Sequence, residues 1–168
     1  LKLKINVVGL SNSKLMAFDG SGIDLSSWQE TLSKGEQTHP IDFFEKVKAF
    51  NLRNSIFVDI TANASVSETY GHYLRESIAV IACNKIACSA NLEQYRKLKD
   101  LSRKYNAPFL FETNVGAGLP VIDTLNHLIA SGDRIRSIHA VLSGSLNFIF
   151  NNFNTSTTFH DVVQQAQK

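Results

Sequence analysis

The residue best placed to do chemistry is Lys85, separated only by Asn84 from the apolar run IAVIAC (78–83). A lysine at the end of a buried strand holds its ammonium at the rim of the core, where it can polarise a carbonyl or bind a phosphate or carboxylate. A lysine elsewhere is usually solvated surface. Thr61 stands in a similar relation to SIFVDITA (55–62), a hydroxyl among backbone groups at a strand tip, followed by Ala62 and Asn63. Asp59, just before it, reads as structural: a carboxylate for nearby loop amides. In ETNVGAGLP (112–120) the succession Gly116, Ala117, Gly118 lets the main chain bend tightly and approach another group closely. Carbonyls exposed by such a bend could coordinate a hard cation, and the same bend could be a plain interdomain hinge. Ser143, Gly144 and Ser145 stand where a strand gives way to a helix, so hydroxyls and helix amides could hold a carboxylate, or simply cap the helix.

The elements that must position these residues alternate regularly. LKINVVGL (3–10) reads as a buried strand, ended by the turn formers Ser11, Asn12 and Ser13. A polar, glycine-bearing stretch from Asp19 and a short helical patch around SSWQETL follow. Pro40 opens the helix IDFFEKVKAFN, and SIFVDITA is a strand. Ser65 is the expected cap of the helix VSETYGHYLRES. IAVIAC is a strand, NLEQYRKLKDLSRKY an amphipathic helix and APFLFETNV (107–115) a strand. The pattern β-α-β-α-β with short links predicts a parallel sheet with helices on both faces. Beyond GAGLP the pattern changes to a helix over PVIDTLNHLIASGD, a strand over RIRSIHAVLSG, a short helix over SLNFIFNNF and a last helix begun by Thr158. A domain boundary is expected at this bend, between 1–116 and 117–168.

In an open parallel sheet, ligands bind outside the carboxyl ends of the strands. Asn12-Ser13-Lys14, Thr61-Ala62-Asn63, Asn84-Lys85 and Glu112-Thr113-Asn114 would then line one crevice. At the tip of the second strand of a dinucleotide fold an acid favours NAD, whereas a cation tolerates the 2′-phosphate of NADP. The Asn12-Ser13-Lys14 tip has a lysine and no acid, which leans toward NADP, although it also reads as an ordinary polar turn.

Composition removes several classes. The 168 residues carry a net charge of +2 with the basic residues dispersed, so there is no basic stripe for nucleic acid. No apolar run approaches the roughly 20 residues of a membrane span. Two cysteines, Cys83 and Cys88, give no disulfide framework and suit a reducing, cytoplasmic setting. The five histidines lack metal-ligand spacing. DGSGID (19–24) lacks the GxGxxG spacing of a phosphate loop. With Leu1 as the first residue and an apolar segment beginning at once, the sequence reads as a piece of something longer.

VDITANASV, IACNKIACS, FLFETNVGAGLPVIDTL and SGDRIRSIHAVLSGSLNFIFNNF together closely resemble homoserine dehydrogenase in order and spacing, over about two thirds of the chain. INVVGLSNSK and DLSSWQ are similar to the form fused behind an aspartokinase. Two departures are mild: Cys83 stands where proline is common, and Ser145 where threonine is common. The resemblance implies an α/β fold with an incomplete Rossmann-type parallel sheet, followed by the start of an α+β catalytic and dimerisation domain. It implies reduction of aspartate semialdehyde to homoserine with NADP or NAD, on the route to threonine and methionine. Thr61 and Lys85 would touch cofactor, with Lys85 near nicotinamide and substrate. Backbone oxygens of Glu112, Val115, Ala117 and Leu119 would hold a sodium-like monovalent cation. Gly144 and Ser145 would lie by the substrate, and the chain would form homodimers or higher oligomers. The family's first strand and glycine-rich loop are expected before Leu1, and its acidic substrate ligands and proton-transferring lysine after Lys168. The isolated piece is therefore expected to have little activity, and the gap in its sheet to be closed by rearranged pairing or a partner chain. The alternatives are a silent oligomerisation or folding unit pairing through 135–143, and an aspartate-semialdehyde type dehydrogenase, disfavoured because no catalytic cysteine motif is present.

Overall fold

The computed structural model describes residues 3–167. The chain divides into two compact units, Leu1–Leu110 and Phe111–Lys168. The division falls ahead of the 116/117 bend.

The first unit opens with a small antiparallel sheet in the order β1-β2-β3: β1 (Gly9–Ser11), β2 (Leu15–Phe18) and β3 (Glu36–Gln37), with α1 (Trp28–Ser33) between the last two. This differs from the expected strand 3–10 in a parallel sheet. The reason is local: the Asn12 side-chain oxygen accepts hydrogen bonds from the N–H groups of Lys14 and Leu15, both at 2.8 Å, and folds the chain back on itself. Residues 3–8 pair with no strand, and Leu3 and Ile5 are exposed.

The second sheet is parallel, in the order β4-β5-β6. After α2 (Pro40–Phe50) come β4 (Ile56–Asp59), α3 (Ala64–Glu68), α4 (Tyr70–Arg75), β5 (Ala79–Ala82), α5 (Ile86–Ser89), α6 (Leu92–Lys104) and β6 (Phe109–Leu110). Phe57 aligns with Val80, and Val80 with Phe109. Because partners in register point to one side of a sheet, these three residues share a face. That face packs on the helices. Phe57 stacks on Tyr73 of α4 at 4.1 Å, and Phe44 of α2 meets the same ring edge-on at 5.0 Å. Leu74 and Leu98 are also buried. The opposite face is open among the described residues: Ile56 is 59% and Val58 54% exposed, and Ile60 and Leu110 are exposed too. Helices on both faces were expected, and topology explains the difference. Parallel crossovers are right-handed, so two successive crossovers along an unreversed strand order put their helices on one side. The outer edge of β4 pairs with no strand among the described residues, so no rearranged pairing within the chain closes it.

Asn63, not Ser65, caps α3: its side-chain oxygen accepts from the Ser65 N–H at 2.8 Å. The expected single helix breaks at Thr69 into α3 and α4. The Tyr73 hydroxyl is buried with no hydrogen-bond partner among the described residues.

In the second unit the expected strand 107–115 gives way after Leu110 to a 3₁₀ turn, Glu112–Asn114. The Glu112 carboxylate accepts the N–H groups of Ile122 (2.9 Å) and Asp123 (2.8 Å), satisfying orphan donors at the start of α7 (Val121–Ala130) and tying the turn to that helix. α8 (Gly144–Asn152) is capped by Ser143 and α9 (Phe159–Ala166) by Thr158. The two helices pack together near Val162 and the Phe153–Phe159 edge contact at 5.6 Å. RIRSIHAVLSG, expected as a strand, has no strand partner among the described residues, so no ladder forms, and Ile138 and Val141 are exposed. No helix among the described residues is long and apolar enough to cross a membrane.

Candidate functional site

In the first unit the register of β4 on β5 sets Asp59 beside Ala82, and the Cys83 N–H donates to the Asp59 carbonyl at 2.8 Å. Past this point both chains leave the sheet. Alternation puts the Asp59 and Asn84 side chains on the same, helix-covered face as Phe57 and Val80. They are 2% and 1% exposed, a burial that polar groups tolerate only when hydrogen-bonded. Asn84 Nδ2 donates to Asp59 Oδ2 at 3.0 Å and to the Asn63 carbonyl at 2.9 Å. The Tyr70 hydroxyl donates to Asp59 Oδ2 at 2.6 Å, and the Thr61 N–H to Oδ1 at 2.7 Å. Asn84 Oδ1 in turn accepts the Ile86 N–H at 3.1 Å. Two consecutive strand tips and one helix are thereby stitched through one carboxylate and one carboxamide.

Above this buried layer, Thr61, Ala62 and Lys85 are exposed. The Thr61 hydroxyl accepts from the Asn63 N–H at 3.2 Å, and Lys85 opens the short helix α5. The pair brings a hydroxyl and an ammonium to adjacent tips of a parallel sheet, where a polar ligand can be bound and a developing negative charge stabilised. Burial, and then the hydrogen bond to Asp59, push the Tyr70 phenol well above its ordinary pKa, so it remains a neutral donor. Burial does the same to Tyr73.

The other expected site residues lie elsewhere. Asn12, Ser13 and Lys14 form the turn of the antiparallel hairpin, in a different sheet, with the Asn12 oxygen engaged in the turn itself. The crevice lined by all four strand ends therefore reduces, within the first unit, to the β4 and β5 tips. In the second unit Gly116 and Ala117 take consecutive left-handed conformations, φ 72° and 52°. A Cβ on Gly116 would come to 3.0 Å from Val121 Cγ2, so a side chain there would meet a tight contact as well as left-handed backbone strain. Of the carbonyls expected to face a cation, that of Glu112 accepts the Val115 N–H at 3.3 Å and that of Leu119 the Val121 N–H at 2.9 Å. Each keeps a second lone pair. Gly144 and Ser145 begin α8, and open space surrounds the Gly144 Cα. A groove of about 530 Å³ between α4 and α6 is lined by charges of both signs, Glu68, Arg75, Glu93 and Lys97 among them, and lies away from the strand tips.

The sequence marks Asn84 only as a strand-end residue lining the crevice, not as a buried link, and does not mark Tyr70 at all. The alternation Val80, Ala82, Asn84 carries the signal for the first, since it continues the buried face one step beyond the strand.

The family model described as homoserine dehydrogenase, NAD binding domain, matches residues 1–112, and that described as homoserine dehydrogenase matches 120–168. The chain belongs to the homoserine dehydrogenase family. It is 40% identical over 99% of its length to a bifunctional aspartokinase/homoserine dehydrogenase 1, chloroplastic, of Arabidopsis thaliana, and spans 19% of that protein. It is 32% identical over 97% of its length to a homoserine dehydrogenase of Schizosaccharomyces pombe, of which it spans 45%. Among solved structures, a hyperthermophilic archaeal homoserine dehydrogenase in complex with NADPH superposes with a TM-score of 0.75 at 28% identity, covering 96% of this chain and 51% of that one. These matches identify the parallel sheet as part of a Rossmann-type NAD-binding domain.

Proposed function

We propose that this chain supplies the cofactor-facing part, and the start of the catalytic part, of an enzyme that interconverts L-aspartate 4-semialdehyde and L-homoserine with a nicotinamide cofactor, in threonine and methionine biosynthesis. The observation that carries the reading is the pairing of Thr61 and Lys85 on adjacent, rigidly tied tips of a parallel sheet. The donor set suits a nicotinamide nucleotide: a hydroxyl, an exposed small residue at Ala62 and one ammonium. The bound nicotinamide would supply the hydride. Lys85 would stand near the carbonyl of the substrate and stabilise charge growing on its oxygen.

The remaining assignments follow the same reading. Asn12, Ser13 and Lys14, with a cation and no acid, suit the 2′-phosphate of NADP. The α8 N-terminus at Gly144 and Ser145 suits a substrate carboxylate. Backbone oxygens of Glu112, Val115, Ala117 and Leu119 suit a monovalent cation, for which the left-handed bend at 116–117 supplies the curvature. The functional boundary between cofactor and catalytic parts is placed at 116/117. A homo-oligomer, a fused aspartokinase, as named for the plant relatives, and a cytoplasmic setting complete the proposal.

Titration of the 168-residue chain with NADPH and NADH tests it. Saturable NADPH binding, tighter than NADH and weakened severalfold by Lys85→Ala, is the expected result; absence of binding to either nucleotide overturns the cofactor reading for this chain. A second reading, a non-catalytic oligomerisation unit, is favoured by the open sheet face and the unladdered segment 135–143. Concentration-dependent association without nucleotide binding would select it.

A further inference from the structure

Asp59 lies beneath the Thr61 hydroxyl and the Lys85 ammonium, yet the buried bonds that tie the two tips together run through it and through Asn84. Its Oδ1 holds the Thr61 amide at 2.7 Å, and its Oδ2 holds Asn84, the residue before Lys85, at 3.0 Å. Tyr70 adds a third donor from α4 at 2.6 Å, so the carboxylate is anchored to the helix layer and cannot swing with the loops. Asn84 then acts as a relay: its Nδ2 also grips the Asn63 carbonyl, and its Oδ1 fixes the Ile86 N–H just past Lys85. A buried carboxylate is a costly component of a fold, and an apolar residue of similar size is often as stabilising. Its presence at this point is accounted for by what it aligns.

We propose that Asp59 is a positioning residue, which through Asn84 and the Thr61 amide sets the spacing between Thr61 and Lys85 and so the affinity of the tips for the nicotinamide nucleotide. The inference rests on the cofactor reading given above. Asp59 accepts from all three donors. The substitution Asp59→Asn keeps the size of the side chain but turns one acceptor into an amide donor, which meets the buried donors of Asn84, Tyr70 and the Thr61 amide with one acceptor too few.

Two measurements on the 168-residue chain test this: amide exchange by NMR and NADPH titration. In Asp59→Asn the Ile86 amide should exchange about tenfold faster relative to that of Val80, which is bonded inside the sheet to the Pro108 carbonyl. The NADPH Kd should rise about tenfold at a temperature where the variant is fully folded. Leu98→Ala, a core change in α6 away from the tips, is the control for simple destabilisation: it should lower stability, speed both amides together and leave the NADPH Kd unchanged. If Asp59→Asn leaves the Ile86-to-Val80 ratio unchanged, or if Leu98→Ala weakens NADPH as much as Asp59→Asn does, the positioning role is overturned. If the unaltered chain binds no NADPH, the cofactor reading fails by itself. The exchange ratio then decides whether Asp59 orders the tips, an accelerated Ile86 supporting it and an unchanged one refuting it.

Discussion

The two units of this chain are built in different ways. The first buries tyrosines, leucines and a polar network under helices on one side of a parallel sheet; the second holds itself together by helix caps and contacts between neighbouring helices. Among the described residues, Tyr70, Tyr73, Leu74 and Val80 of the first unit are wholly buried, whereas Val162 is the matching case in the second. The second unit instead leaves Phe148, Phe150 and Val141 exposed. The difference teaches that the chemistry-bearing tips are set by a packed core, whereas the bend and the α8 terminus are set by local hydrogen bonds. Disturbing the polar network beneath the tips should reach Thr61 and Lys85, whereas a core change away from that network should lower stability alone.

The largest effect should come from the core itself. Leu74→Ala in α4 should lower stability by about 2–5 kcal/mol in urea unfolding, while Phe150→Ala should change it by less than about 0.5 kcal/mol; equal losses would erase the contrast. Alkali offers the next test, because all four tyrosines lie in the first unit. The Tyr70 and Tyr73 phenols have folded-state pKa values raised above the ordinary 10.0. The stability tied to them is therefore present below that pH and lost as pH rises above it, by about 1.4 kcal/mol per phenol for each pH unit. Far- and near-ultraviolet circular dichroism between about pH 9 and 12, the range that brackets the ordinary phenol pKa, should show the aromatic signal collapsing before the helices of the second unit melt. In that unit, Gly116→Ala should cost about 1 kcal/mol or more through its left-handed backbone, with Gly118→Ala close to neutral because nothing stands near its Cα. Thermal melts would rank them, and equal costs would remove the special status of Gly116. The smallest effect is Tyr73→Phe, which deletes an unpartnered buried hydroxyl and should raise stability by up to about 1 kcal/mol. A clear loss would mean that the hydroxyl is satisfied after all.

The continuous apolar runs of β4 and β5, the amphipathic α6 and the proline that opens α2 are local signals, and the sequence makes each of them visible. The helix over 121–130 and the Thr158 cap are legible for the same reason. Pairing is not local, and there the structure departs from the sequence pattern. LKINVVGL has the composition of a buried strand, but the Asn12 side chain turns the chain back before it can join the parallel sheet. RIRSIHAVLSG has strand alternation and lacks a neighbour to bond. At the site, Lys85 and Thr61 are legible as strand-tip residues, and the family resemblance agrees with the family models. The network beneath them is not, because the convergence of Asp59, Tyr70 and Asn84 depends on strand register and on which face α4 covers.

The open side of the parallel sheet carries a practical consequence. Ile56 and Val58 of β4, with Ile60 just past its end, form an exposed row on a strand whose outer edge is unpaired among the described residues, with no lysine or proline to break it, the arrangement on which stray chains dock and precipitate. Solubility at millimolar concentration should thus be limited by β4, and a single gatekeeper charge, Val58→Lys, should relieve it without touching the residues that face the helices.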